Sequence, residues 1–150
     1  MLYPTAGSRL YIANAPVETP GALPASGWIE IGEAEAIGMV GSQWDTEEAV
    51  YVDCEEGNPQ LETVKSLERR PAWQIILGND PEDTGQAILW SASRSRAHYP
   101  FRLVFPGGAH WRGWFGLVTG LFEVFDTANS IMKLQADVLP TSKTFRSEDA

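Results

Sequence analysis

Several features common in proteins are scarce or missing in this sequence of 150 residues. It has one cysteine, Cys54, so an internal disulfide is excluded, and no Cys/His cluster has the spacing of a zinc site. No stretch approaches the roughly 18 apolar residues of a membrane-spanning helix, and the first residues lack the basic and then apolar pattern of a secretory signal. These absences predict a protein of a reducing compartment, with no structural metal and no membrane segment.

Sequence motifs of catalysis are also missing. The chain has no GxSxG, no phosphate-cradling GxxxxGK[ST], no HExxH, and no GxGxxG after a strand. Cys54 could serve as a nucleophile with His98 or His110 as base, but nothing in their spacing supports this pairing. The carboxylates at Asp53, Glu55 and Glu56 lack the alternating ligands of a calcium loop. We therefore expect no enzyme, no cofactor and no metal.

Charge of one sign is missing from two long stretches. Twenty acidic against 11 basic residues give a net charge of −9, which argues against a protein that coats DNA. No Lys or Arg lies between Arg9 and Lys65, and no Asp or Glu lies between Thr84 and Phe122. The acidic zone (18–62) and the arginine zone (94–112) could face each other within one chain. They could equally join neighbouring copies head to tail into rings or filaments.

Alternation of apolar and polar residues predicts a mainly β protein of one domain, 1–150. Strands are expected at 9–13, 28–31, 61–67, 72–77, 99–105, 111–125 and 131–139, with a further short apolar segment at 37–40. The last strand has the clearest alternation, because Met132, Leu134, Ala136 and Val138 share one face. Two packed antiparallel sheets, forming a β-sandwich or a squat barrel with one flanking helix, fit this order.

The single predicted helix begins near residue 80. Asp80 is placed to cap it, Pro81 occupies its first position, and Arg94 and Arg96 fall at its C-terminal end. Two polar segments flank the predicted strands. Residues 41–59 are expected to form a long projecting loop of the kind used for contact with a partner, with a two-stranded excursion around Ala49 to Val52 as an alternative. Residues 141–150 are expected to form a mobile tail.

The tryptophans allow a different function. Four of them could build a platform on which sugars stack, which would make the protein a carbohydrate-binding β-sandwich: Trp73, Trp90, Trp111 and Trp114. Packing in a core or an interface is the more common use of tryptophan. The residues alone therefore indicate a self-associating β domain with no credible active site.

The order of elements resembles a known family over residues 7–146. Gly7–Ala13 reads GSRLYIA, Trp28–Gly32 reads WIEIG, Ala36–Gly41 reads AIGMVG, and a long loop follows. A helix opening DPEDTGQ, an aromatic HYPFR strand and a late FGLVTG complete the pattern. This arrangement resembles the tail tube proteins of long-tailed phages and gene transfer agents, the family of the phage lambda tail tube protein.

The resemblance implies a structural virion protein that forms hexameric rings, stacked into a tube through which DNA passes. It implies that the long loop reaches a neighbouring ring, and that the tape measure, tail terminator and baseplate proteins are partners. DNA would pass without stable binding through an anionic lumen, and assembly would take place in the bacterial host cytoplasm. The related inner-tube protein of type VI secretion is a further alternative. We predict an assembly interface at Trp44, Asp45, Glu47, Glu48, Asp53, Glu55, Glu56, Arg94 and Arg96.

Overall fold

The computed structural model describes residues 1–51 and 60–149. In order, these residues form β1 (Arg9–Ala13), β2 (Trp28–Glu30), β3 (Ala34–Ala36), β4 (Gln43–Tyr51), β5 (Gln60–Arg69), β6 (Trp73–Gly78), α1 (Thr84–Ser93), β7 (Tyr99–Val104), β8 (Trp111–Val124), β9 (Lys133–Pro140) and β10 (Phe145–Arg146). A short 3-10 turn, Ser147–Asp149, follows β10. The predicted class is confirmed: the protein is mainly β, with antiparallel sheets and one helix.

The two sheets differ in size. The larger has eight strands in the order β2-β1-β7-β8-β9-β6-β3, with β10 paired to β8. The smaller consists of β4 and β5. The expected alternation is realised along β9, where Leu134, Ala136 and Val138 are buried, whereas Met132 precedes the strand and is exposed.

The larger sheet curls so that its own strands form the layers of the core. Two strands, β8 and β9, lie between β7 and β6, so a flat sheet would hold β7 and β6 roughly 14 Å apart. Instead the rings of Phe101 on β7 and Trp73 on β6 are 5.5 Å apart, and Trp114 on β8 lies 4.9 Å from Trp73. The edge strands β2 and β3 do not pair, so the sheet is not a closed barrel.

The helix begins three residues later than the sequence indicates. Asp83, not Asp80, is the N-cap, and its carboxylate accepts the backbone N–H of Gln86 at 2.9 Å. The same carboxylate accepts the N–H of Gly32 at 3.1 Å, a contact that local sequence cannot show. Gly85 lets the helix approach closely, because a Cβ there would lie 2.2 Å from the carbonyl oxygen of Glu30. Asp80 instead closes a turn by accepting the N–H of Glu82.

The segment 37–40 is not a strand, and the strand preceding it is Ala34–Ala36. Gly38 has a φ of +74°, in a region that favours glycine, and a Cβ there would strike the carbonyl oxygen of Gln74. The carbonyl of Ile37 accepts the indole N–H of buried Trp73. The segment is therefore held by side-chain contacts beside the core, not by strand pairing.

The two polar segments are more ordered than the sequence suggests. Within 41–59, residues 43–51 form β4 and pair with β5, while 52–59 lie outside the described residues. The expected mobile tail is docked: Phe145 and Arg146 pair with Gly113 and Arg112 of β8. A side chain of this segment also holds it against β8, since Ser142 Oγ accepts the N–H of Phe115 at 2.9 Å.

Candidate assembly interface

The smaller sheet, here called the β4–β5 ribbon (43–51 and 60–69), projects from the domain. Its strands pair with each other and with no other described strand. Of the predicted interface residues, Trp44, Glu47 and Glu48 lie on the ribbon and are exposed. Asp45 is half-buried and pairs with Arg69, at 2.6 Å between Oδ2 and Nε. Three further predicted residues, Asp53, Glu55 and Glu56, lie outside the described residues.

Apolar side chains on the ribbon are unusually exposed. The relative exposure is 41% for Trp44, 58% for Val50, 46% for Val64 and 62% for Leu67. The ammonium group of Lys65 lies over the ring of Trp44, at 5.5 Å from its centroid. A two-stranded sheet with no packed face is marginally stable in water. The ribbon therefore has the properties of a segment completed by contact with another molecule.

The predicted arginines lie at a different place, the C-terminal end of α1. Arg94 is the C-cap residue and lies over the ring of Trp90 at 5.6 Å, and Arg96 follows two residues later. Both side chains are exposed, and neither forms an ion pair with any described residue. Cations at a helix C-terminus are favoured by the helix dipole, so their position needs no internal carboxylate.

Two carboxylates of the acidic zone, Glu35 and Asp45, form their ion pairs outside the arginine zone. Asp45 pairs with Arg69, Glu35 with Lys133, and Glu68 with Arg70. The arginine zone forms its pairs with the C-terminal turn, through Glu148. The ion pairs of Glu35 and Asp45 thus give no support to the internal interpretation of the charge asymmetry.

Glu148 is a structural residue that sequence reasoning missed. Its carboxylate lies 2.9 Å from Arg112 Nη1, 3.0 Å from His110 Nδ1 and 3.7 Å from Arg146 Nε. A backbone hydrogen bond at Glu148 and the guanidinium groups of Arg112 and Arg146 lower the pKa of this carboxyl below its ordinary value. The contacts fasten the C-terminal turn to β8. The only signal of this contact in the sequence is the acidic ending SEDA, together with the basic residues of a strand more than 30 positions earlier.

The four tryptophans considered for sugar binding do not form a common platform. Trp73 and Trp114 are core residues with 0% and 1% exposure. Trp90 is half-buried under Arg94, and Trp111 is half-buried under Arg102, whose guanidinium carbon lies 4.2 Å from the ring centroid. Because a stacking platform needs exposed rings side by side, this arrangement contradicts the carbohydrate-binding alternative.

Residues considered for other chemistry have structural contacts. The Nδ1 atom of His98 lies 2.7 Å from the hydroxyl of Thr141, and His110 contacts Glu148. Cys54 is outside the described residues. Within residues 1–51 and 60–149, no three His, Cys, Asp or Glu side chains are grouped to hold a metal ion. No helix in that same part of the chain has both the length and the hydropathy to cross a membrane.

Comparison with solved structures identifies the fold. A chain of the PVC sheath/tube terminator, from an extracellular contractile injection system in the extended state, matches with a TM-score of 0.65 and 12% identity over 98% of this chain and 97% of that one. A chain of the PVC sheath-tube complex in the extended state matches with a TM-score of 0.65 and 11% identity, over 98% of this chain and 92% of that one. The SPP1 tail tube matches with a TM-score of 0.61 and 11% identity, over 97% of this chain and 78% of that one. Neither a family model nor a curated protein matches the sequence.

These matches cover nearly the whole chain, so the described residues adopt the fold of tail tube and tube-terminator subunits. The resemblance noted from the glycine and aromatic patterns is confirmed at the level of the fold. At identities of 11 to 12%, the likeness extends to architecture and not to individual side chains.

Proposed function

We propose that this protein is a structural tail tube subunit that self-assembles into stacked rings, forming a conduit for DNA. The observation that carries the proposal is the β4–β5 ribbon, which presents apolar and acidic side chains on a fold shared with tube and tube-terminator chains. A surface of this kind is stable in water when neighbouring copies cover it. The protein has no catalytic role and needs no cofactor in this proposal.

The partners follow from the position in such a tube. The protein would contact itself within and between hexameric rings, and would contact the tape measure, tail terminator and baseplate proteins at the ends. It would act in the virion tail after assembly in the bacterial host cytoplasm. The net charge of −9 supports transit of DNA without adhesion, because few cations are present to displace the counterions of the phosphates.

Electron microscopy of the purified protein tests the proposal. Negative-stain images of the concentrated protein should show rings and hollow tubes of uniform diameter. A protein that remains monomeric at every concentration and salt condition would contradict the proposed function.

Removal of the ribbon tests the feature that carries the proposal. Gln43 and Arg69 are paired neighbours, so a short Gly/Ser linker can replace residues 43–69 without straining the domain. The shortened protein should retain its circular dichroism in the near ultraviolet, because the buried core lies outside the ribbon, but should form no tubes. Tubes of normal length from this variant would show that the ribbon is not an assembly element.

The arginines at the end of α1 are proposed as a second contact between copies. Reversal of Arg94 and Arg96 to Glu should slow or stop assembly, because like charges would then meet the acidic zone of a neighbour. Arg9→Glu is a suitable control, since Arg9 is also exposed and forms no ion pair with a described residue. Unchanged assembly of the double variant at low salt would remove these two residues from the interface.

A further inference from the structure

A cavity of about 580 Å³ lies at the root of the ribbon, where the ribbon leaves the domain. Gly41 and Ser42, which immediately precede β4, line one side, and the docked C-terminal segment lines another. Apolar side chains on its walls come from the domain: Ile37, Val40, Leu103, Phe105 and Trp114. The cavity thus combines an apolar wall with a position next to the projecting ribbon.

The cavity has more cations than carboxylates on its walls, although the chain as a whole is acidic. Four cations line it, together with a single carboxylate, Glu68: the cations are Arg70, Arg112, Lys143 and Arg146. Three of the four form ion pairs: Arg70 pairs with Glu68, and both Arg112 and Arg146 pair with Glu148. Lys143 is exposed and has no carboxylate partner among the described residues. Its ammonium group lies 5.2 Å from the ring centroid of Phe145.

Two side chains of this cavity also have buried donors with no partner. The indole Nε1 of Trp114 and the Nε of Arg70 form no hydrogen bond within the described part of the chain. A buried donor without an acceptor costs about 1 to 3 kcal/mol of stability. Positive charge, unpaired donors and an apolar wall together favour an occupant that brings carboxylates on an apolar segment.

The ribbon of another copy has this chemistry. Alternation along β4 places Trp44, Thr46, Glu48 and Val50 on one face, and the contact of Lys65 with Trp44 agrees with that register. Glu48 is exposed, has no ion-pair partner among the described residues, and lies next to exposed Val50 on this face. This face is an acidic and apolar counterpart of the basic cavity.

Geometry indicates that the contact joins different copies. Glu48 is five residues beyond the start of β4, which is roughly 17 Å along an extended strand that leads away from its root. The ribbon of one chain is therefore directed away from the cavity at its own root. A projection at one end and its receptor at the other form a heterologous contact, which propagates from copy to copy.

We propose that the basic cavity receives the Glu48 face of the β4–β5 ribbon of a second copy. This inference rests on the proposed function and names the contact by which subunits join. It makes Lys143 and Glu48 a specific pair across the junction, with Trp44 and Val50 packed against the apolar wall.

Charge exchange between two variants tests the pair. Glu48→Lys and Lys143→Glu should each raise the critical concentration for assembly by about tenfold, because each places like charges at every junction. The double variant should return to within about threefold of the parent, since the pair is restored with opposite polarity. Glu82→Lys, an exposed change at the start of α1, matches the charge of the first variant and should assemble like the parent.

Mixing the single variants gives the sharper result. The ribbon of the Glu48→Lys variant meets the cavity of the Lys143→Glu variant at one junction, and the parental pair forms at the next. The mixture should therefore assemble at concentrations where neither variant does so alone, and sedimentation velocity measures this directly.

Three outcomes would overturn the assignment while tubes of the parent still support the proposed function. The first is a double variant with the summed defects of the single variants, and the second is a mixture with no gain over its components. The third is duplex DNA that binds the parent but not Lys143→Glu. A parent that never assembles would contradict both proposals.

Discussion

The curled core and the β4–β5 ribbon are both antiparallel β structure, yet different interactions stabilise them. In the core, Trp73, Phe101 and Trp114 pack edge to face or stacked and are fully buried. In the ribbon, Trp44 and Val50 are exposed, and the strands are held mainly by their own backbone hydrogen bonds. The core is stable by its own burial. In the proposed tube, the packing partners of the ribbon belong to other copies.

This difference predicts a large effect for removal of a core aromatic. Trp73→Ala should lower the free energy of unfolding by about 4 kcal/mol, because it deletes a buried indole and leaves a cavity. Denaturant titration of the monomer measures the loss. A change below about 1 kcal/mol would mean that the core is less tightly packed than the ring contacts indicate.

A smaller loss is expected at the polar junction between helix and sheet. Gln86 is buried, donates to the carbonyls of Gly32 and Gly78, and accepts the N–H of Asp80. Gln86→Leu keeps the size but leaves these groups unpaired, so stability should fall by about 2 kcal/mol. Exposed Gln74→Leu is the control and should change stability by less than about 0.5 kcal/mol. Equal losses of stability in the two variants would show that the hydrogen bonds of Gln86 do not stabilise the fold.

The C-terminal anchor should depend on pH. Because the folded pKa of Glu148 is below its ordinary value of 4.5, its contribution to stability is complete above that value and is lost as pH falls through the folded pKa. The protection factors of the amides of residues 145–149, which correct for the intrinsic pH dependence of exchange, should accordingly fall in acid. Glu148→Gln should show fast exchange at neutral pH already, and a variant that exchanges like the parent at both pH values would contradict the anchor.

The smallest effect on the monomer is expected in the ribbon. Trp44→Ser should change the free energy of unfolding by less than about 0.5 kcal/mol, because the side chain packs against no core residue. Assembly should nevertheless weaken, since the apolar area offered to a neighbour is reduced. A stability loss as large as that of Gln86→Leu would place Trp44 in the folding unit instead of the interface.

The same contrast explains what can be predicted from the sequence. Alternation predicts strands with one buried face, as in β1 and β9, because burial imposes a period of two. In the ribbon, β5 is close to the strand predicted at 61–67, whereas β4 is mostly polar and exposed, so its sequence resembles a loop. The helix start at Asp83 and the docking of the C-terminal turn by Glu148 depend on Gly32 and Arg112, which are far away in the chain. Local patterns do not contain such contacts.

Hydrogen exchange of the monomer and of the assembled protein compares the two regions most directly. Amides of β6 and β9 should exchange slowly in both states, whereas amides of β4 and β5 should exchange rapidly in the monomer and slowly after assembly. This result would show that neighbouring copies complete the ribbon. A ribbon that is as protected in the monomer as β9, or that gains no protection on assembly, would contradict the account.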